Sequence, residues 1–206
     1  MKKFILPLLI LAAIAVYSFK GGEEHKTLAI GEKAPMTGYE MKSTQGEMVS
    51  LDNLKGNNGT LVMFTCNTCP FVIAWEDRYP ELAAIAESKG IGMALINSNE
   101  AKRKGDDSME KMMSHATEKG YENIPYLVDD KSTLANAFGG KSTPHVFLFN
   151  NNWELVYEGA IDDNYKSAGE VKAHYLKNAM ENLAAGKKID PNNTKALGCS
   201  IKRVKE

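Results

Sequence analysis

Cys66 and Cys69 are separated by Asn67 and Thr68 and followed at once by Pro70. Two thiols at this spacing can close a disulfide on each other or grip a soft metal ion. A four-cysteine zinc site needs a second pair, and the chain has one further cysteine, Cys199. Copper or zinc held by Cys66, Cys69 and His145 is a conceivable set, but no wider cluster of ligands surrounds those three in the sequence. A purely structural disulfide would close so short a loop that little chain entropy leaves the unfolded state. Three cysteines are also too few for a disulfide-stapled scaffold. Dithiol–disulfide exchange is therefore the favoured chemistry, with the Cys66–Cys69 disulfide itself as redox centre and no metal or other cofactor.

The elements that must hold this pair can be read on either side of it. Leu61 to Phe64 is an apolar run without alternation, the pattern of a strand buried on both faces. From Phe71 the period becomes helical, through Ala74, Trp75, Leu82, Ala83 and Ala86 to a stop at Gly90, with Pro80 expected to kink or split the helix. Cys66 thus ends a strand and Cys69 starts a helix. Backbone N–H groups at a helix start stabilise a thiolate, so Cys66 is expected to be the exposed nucleophile and Cys69, one turn deeper, the resolving thiol. Pro70 suits the first helical turn, where its missing N–H costs nothing.

Further along, Ile91 to Ile96 reads as a second buried strand, and Ser108 to Lys119 as a helix with Met109, Met112, Met113 and Ala116 on its core side. Tyr126 to Val128 is a short strand and Ser132 to Phe138 a short helix. Val146 to Phe149 and Leu155 to Tyr157 form a hairpin across Asn150-Asn151-Asn152. Ser167 and Glu170 have capping-box spacing for a last helix carrying Val171, Tyr175, Ala179 and Leu183. Residues 36–60 form a hairpin-like lead-in turning at Gly46. Alternating strands and helices followed by a hairpin and a helix imply a thioredoxin-like α/β three-layer sandwich with a central mixed sheet and an N-terminal extension. The expected division is residues 1–20 as signal or anchor, 21–188 as the domain, and 189–206 as a tail carrying Cys199.

In such a fold the loop holding Thr143 and Pro144 faces the cysteine pair. A cis Thr143–Pro144 bond is expected there, leaving the Thr143 backbone free to pair with an incoming peptide. His145 could tune the Cys66 thiolate, or simply end a strand. Asn97, Ser98 and Asn99 lie at the carboxyl end of a parallel strand, where α/β proteins place their sites, and are expected to shape the pocket. Cys199 either resolves Cys66 or receives its electrons, or else is a buried free thiol.

Phe64-Thr65-Cys66-Asn67-Thr68-Cys69-Pro70-Phe71-Val72 resembles the site of peroxiredoxin-like members of the thioredoxin superfamily, relatives of the alkyl hydroperoxide reductase/thiol-specific antioxidant redoxins. Residues 94–99, residues 157–163 and the tail Gly198-Cys199-Ser200-Ile201-Lys202 are similar to segments of the same group, and the resemblance spans about Ile30 to Lys202. It implies a thioredoxin fold and disulfide oxidoreductase chemistry, and the group is also similar to exported thiol–disulfide interchange proteins. Two departures stand out. A peroxiredoxin has Thr three residues before its peroxidatic cysteine, whereas here Met63 precedes Cys66 and Cys66 precedes Cys69 at that spacing. Thioredoxin has a buried Asp six residues before its first cysteine, where this chain has Thr60. Glu76 and Glu100 are the candidates to replace that acid.

The remaining features set the context. Lys2 and Lys3 precede an apolar stretch from Phe4 to Phe19, which reads as a secretory signal. Val16 and Ser18 make a poor cleavage site, so an uncleaved anchor over residues 4–19 is the other form of the same expectation. The protein is thus expected in the periplasm or envelope, exchanging disulfides with protein thiols there and with an upstream electron donor or acceptor. A net charge of -1 offers no basic surface for nucleic acid. The alternatives carried are a thiol peroxidase using Cys199 as partner and a copper-binding assembly protein.

Overall fold

A computed structural model describes residues 25–204, and the expected signal or anchor at residues 1–20 lies outside them. The chain opens with β1 (Met41–Ser43) and β2 (Met48–Val49), paired around the Gly46 turn, and continues into β3 (Gly59–Thr65). Next come α1 (Pro70–Trp75) and α2 (Tyr79–Ser88), with a single 3-10 turn at Glu76–Arg78 between them. Pro80 does not kink one helix; it lies in the first turn of a second. There follow β4 (Ile91–Asn97), α3 (Met109–Glu118), β5 (Tyr126–Val128), α4 (Thr133–Phe138), β6 (Ser142–Thr143), β7 (His145–Asn150), β8 (Leu155–Gly159), α5 (Tyr175–Ala184) and β9 (Cys199–Ser200).

The main sheet runs β2-β1-β5-β4-β3-β7-β8. β3, β4 and β5 are parallel, while β7, β8 and β1 run against their neighbours. Both faces are covered, which is why β3 shows no polar alternation. Leu61 and Met63 point to one face, into a core with Trp75, Tyr79, Leu148, Leu176 and Met180. Val62 and Phe64 point to the other, against Leu134, Phe138, Phe147 and Phe149. There Phe138 meets Phe64, Phe147 and Phe149 edge-on at 5.5–5.7 Å.

Two expectations need correction. The last helix begins at Tyr175, because Ser167 is extended and makes no cap. Asn164 Oδ1 accepts the N–H groups of Lys166 and Ser167, and this turn leaves only one 3-10 turn before the helix. In α3 the buried stripe is Met112 and Ala116, and Met113 is exposed. The tail packs on the domain, with β9 joined to β6 in a separate two-stranded sheet. Among the described residues no helix is long and apolar enough to cross a membrane.

Candidate redox site

β3 delivers Cys66 to the carboxyl edge of the sheet, and the chain turns through Asn67 and Thr68 to Cys69, the N-cap of α1. Pro70 follows in the first helical turn. The Thr143–Pro144 peptide is cis and lies across from both sulfurs. Cys66 Sγ is 3.2 Å from Thr143 Oγ1, and Cys69 Sγ–H donates to the Thr143 carbonyl at 3.1 Å. All three cysteines are free thiols.

Cys66 is not the exposed thiol expected: it is 2% accessible and Cys69 5%, while Thr68 and Pro70 face solvent. Cys66 donates to Cys69 and is itself buried, and both effects push the Cys66 thiol up. Cys69, accepting that hydrogen bond, is lowered to about 4, with further donors from the Cys199 thiol and the N–H groups of Val72 and Cys199. Two of its donors are carried by the tail. Without them, Cys66 still has the Cys69 N–H and the Thr143 hydroxyl as its own.

A buried polar network fixes the turn. Asp107, fully buried, accepts from Asn67 N–H at 2.9 Å, Asn97 Nδ2 at 2.8 Å and Asn99 Nδ2 at 3.0 Å. Asn67 Nδ2 donates to the Asp106 carbonyl at 2.8 Å, and Tyr126 OH donates to Asn67 Oδ1 at 3.0 Å. Asn97 holds Asp107 in place. Ser98 turns away to Asp129. Among the acids, Asp107 is the one whose charge acts on Cys66, raising it further. Sequence reasoning missed it because residues 102–107 look like an ordinary solvated charged loop.

The other candidates are held elsewhere. Glu76 is buried and pairs with His115 Nε2 at 2.7 Å and Lys119 Nζ at 3.1 Å, bonding to neither cysteine. Glu100 accepts the Lys131 N–H at 3.1 Å. Neither is placed to take a proton from the pair. His145 is buried, with Nδ1 accepting the Lys141 N–H at 3.2 Å and Nε2 against the Glu158 carboxylate, so it contacts no sulfur. Thr60 is fully buried and its hydroxyl has no partner among the described residues. Those residues also hold no group of three or more His, Cys, Asp or Glu side chains arranged for a metal ion.

The Glu76 ion pairs bear on stability. Burial would raise its carboxyl, but His115 and Lys119 outweigh that and hold it below its ordinary value of 4.5. A lowered carboxyl contributes stability above its unfolded value and loses it as pH falls through the folded one. Glu76→Gln is expected to cost about 1–2 kcal/mol at neutral pH. The gap to wild type should close progressively below about pH 4.5 in urea titrations. A gap unchanged at pH 3 would mean the contact is not ionic.

With this geometry in hand, comparison with known proteins gives a consistent picture. The sequence profile of the AhpC/TSA family matches residues 30–158. No curated protein matches the chain. Among solved structures, it is similar to an uncharacterized conserved protein of Geobacillus kaustophilus, at 32% identity and TM-score 0.80, covering 86% of this chain and 94% of that one. It is similar to a hypothetical protein of Sinorhizobium meliloti at 27% identity and TM-score 0.80, covering 88% and 98%. It shares its fold with a secreted disulfide oxidoreductase of Mycobacterium tuberculosis, at 13% identity and TM-score 0.51, covering 72% and 95%.

Proposed function

This chain belongs to the AhpC/TSA family, and from that premise we propose that it is an exported thiol–disulfide oxidoreductase acting on proteins of the cell envelope. The observation that carries the reading is the placement of Cys66 and Cys69 at the end of β3 and the start of α1, both sulfurs against Thr143. Export is supported by Lys2, Lys3 and the apolar stretch from Phe4 to Phe19.

The reaction follows from two thiols within reach of each other. The Cys66 thiolate attacks one sulfur of a partner disulfide, and the partner's other sulfur leaves and takes up a proton. Cys69 then attacks the Cys66 sulfur of this mixed disulfide. The Cys66–Cys69 bond forms, the second partner thiol is released, and two electrons have passed to the partner. Run backwards, the same steps oxidise a partner dithiol. An upstream dithiol or disulfide resets the pair. Asn67 and the Asp107 network keep the turn rigid, so the two sulfurs stay within reach through the cycle. Thr143 supplies a hydroxyl to Cys66 and a backbone edge beside it.

The test is reduction of the insulin disulfides by dithiothreitol with and without the purified protein. The expected result is precipitation of the reduced chains at least about tenfold sooner than with dithiothreitol alone. An unchanged lag at micromolar protein would remove this reading.

A further inference from the structure

Residues 192–203 return across the cysteine pair and are pinned on both sides of it. Upstream, Thr194 N–H donates to the Glu158 carbonyl at 3.0 Å and Glu158 N–H to the Asn192 carbonyl at 3.1 Å. Asn193 Nδ2 donates to the Glu158 carboxylate at 2.6 Å, the same carboxylate that His145 meets. Downstream, Ile201 N–H donates to the Lys141 carbonyl at 3.1 Å, and its side chain is buried in the second core. Lys202 N–H donates to Asn99 Oδ1 at 2.8 Å, and Arg203 Nη2 to the Gly140 carbonyl at 2.6 Å. Between these anchors β9 pairs antiparallel with β6, which puts Cys199 opposite Thr143.

An extended strand laid on a free backbone edge is how many domains bind a peptide. Here the edge is Ser142–Thr143, beside the cysteine pair, and this chain's own tail lies on it. Cys199 is therefore held as the cysteine of a bound peptide would be. Cys69 Sγ lies 3.1 Å from the Thr143 carbonyl, and Cys199 is the strand partner of that same Thr143, so the two cysteines meet one short stretch of backbone. It packs against the core that contains Cys66 and Cys69.

We propose that the C-terminal strand is a tethered peptide substrate and that Cys199 is a third redox-active thiol. The inference rests on Cys66 and Cys69 being a redox pair. When that pair is oxidised, the Cys199 thiolate attacks Cys69 Sγ. The Cys69–Cys199 bond forms, the Cys66–Cys69 bond breaks, and Cys66 leaves as a thiolate that takes up the proton Cys199 gave up. The exchange is redox-neutral and needs no further reagent. It returns Cys66 as a free thiol beside the Thr143 hydroxyl while the oxidising equivalent is stored on the tail.

The test uses the Cys66→Ser full-length protein in graded reduced and oxidised glutathione, with thiols trapped and peptides mapped by mass. Tethering predicts an intramolecular Cys69–Cys199 disulfide, with an effective concentration of Cys199 at Cys69 above about 10 mM. Finding Cys69 joined to glutathione with Cys199 free, or both thiols reduced where glutathione is oxidised, would overturn the proposal. Cys199→Ser separates the two levels. If its Cys66–Cys69 disulfide still titrates while Cys66→Ser fails to close, only the tail's role is lost. If the Cys199→Ser pair does not titrate, the underlying redox reading fails.

Discussion

Cys66→Ser is expected to slow disulfide exchange with protein partners sharply, leaving only what the Cys69–Cys199 pair can carry, whereas Cys69→Ser is expected to accumulate stable mixed disulfides. The asymmetry follows from the order of the two attacks. Without Cys66 no bond to an outside partner forms by the proposed route. Without Cys69 that bond forms and is not resolved. Serine is close to cysteine in size, and both sulfurs lie in a packed environment, so neither change opens a large cavity. Insulin reduction and thiol-trapped gels of whole-cell protein read the two phenotypes separately. Two variants with wild-type turnover would move the chemistry away from this pair. Mixed disulfides accumulating on Cys66→Ser instead would reverse the roles, and the lowered Cys69 thiol makes that a sharp comparison.

Gly198→Ala is expected to open the site. A Cβ at residue 198 would stand 2.3 Å from the Thr143 carbonyl oxygen and 2.7 Å from its carbon. Those are backbone atoms, unable to give way as a flexible side chain would, so the tail has to shift. Overpacking of this kind costs about 1–3 kcal/mol, enough to unseat a short strand held by a few hydrogen bonds. Cys66 and Cys69, now 2% and 5% accessible, would then meet solvent and partners. Alkylation of Cys66 and Cys69 by iodoacetamide should quicken by about tenfold or more. Circular dichroism would confirm that the domain is intact. Unchanged alkylation in a folded variant would mean that the tail does not control access.

Much of this arrangement was legible because the signals were local. The unbroken apolar runs at residues 61–64 and 91–96 could only be strands covered on both faces, and they became β3 and β4. Cys66, Cys69 and Pro70 located the strand-to-helix turn, and Thr143-Pro144 the loop opposite. What escaped was set by contacts between distant residues. Glu76 looked like a solvated helix charge, yet α3 brings His115 and Lys119 onto it and makes its burial tolerable. Asp107 carried no motif at all. Its role arises only because three amide groups, one from the turn after β3 and two from the end of β4 and the residues just beyond it, converge on one carboxylate. The expected exposure of Cys66 failed for the same reason. Helix position alone says nothing of a strand arriving from more than a hundred residues away to cover it.

Equilibrating the purified protein in graded dithiol/disulfide buffers, trapping free thiols and mapping the disulfides by mass asks whether Cys66 and Cys69 form a reversible redox pair. One reversible two-electron transition that consumes Cys69 is expected. At its oxidised end Cys69 should be joined to Cys66 and, by internal exchange, to Cys199. A midpoint near or below about -250 mV would mark a reductant of envelope disulfides, and one towards about -120 mV an oxidant. Cys66 and Cys69 both remaining free thiols across the whole range would contradict that pairing.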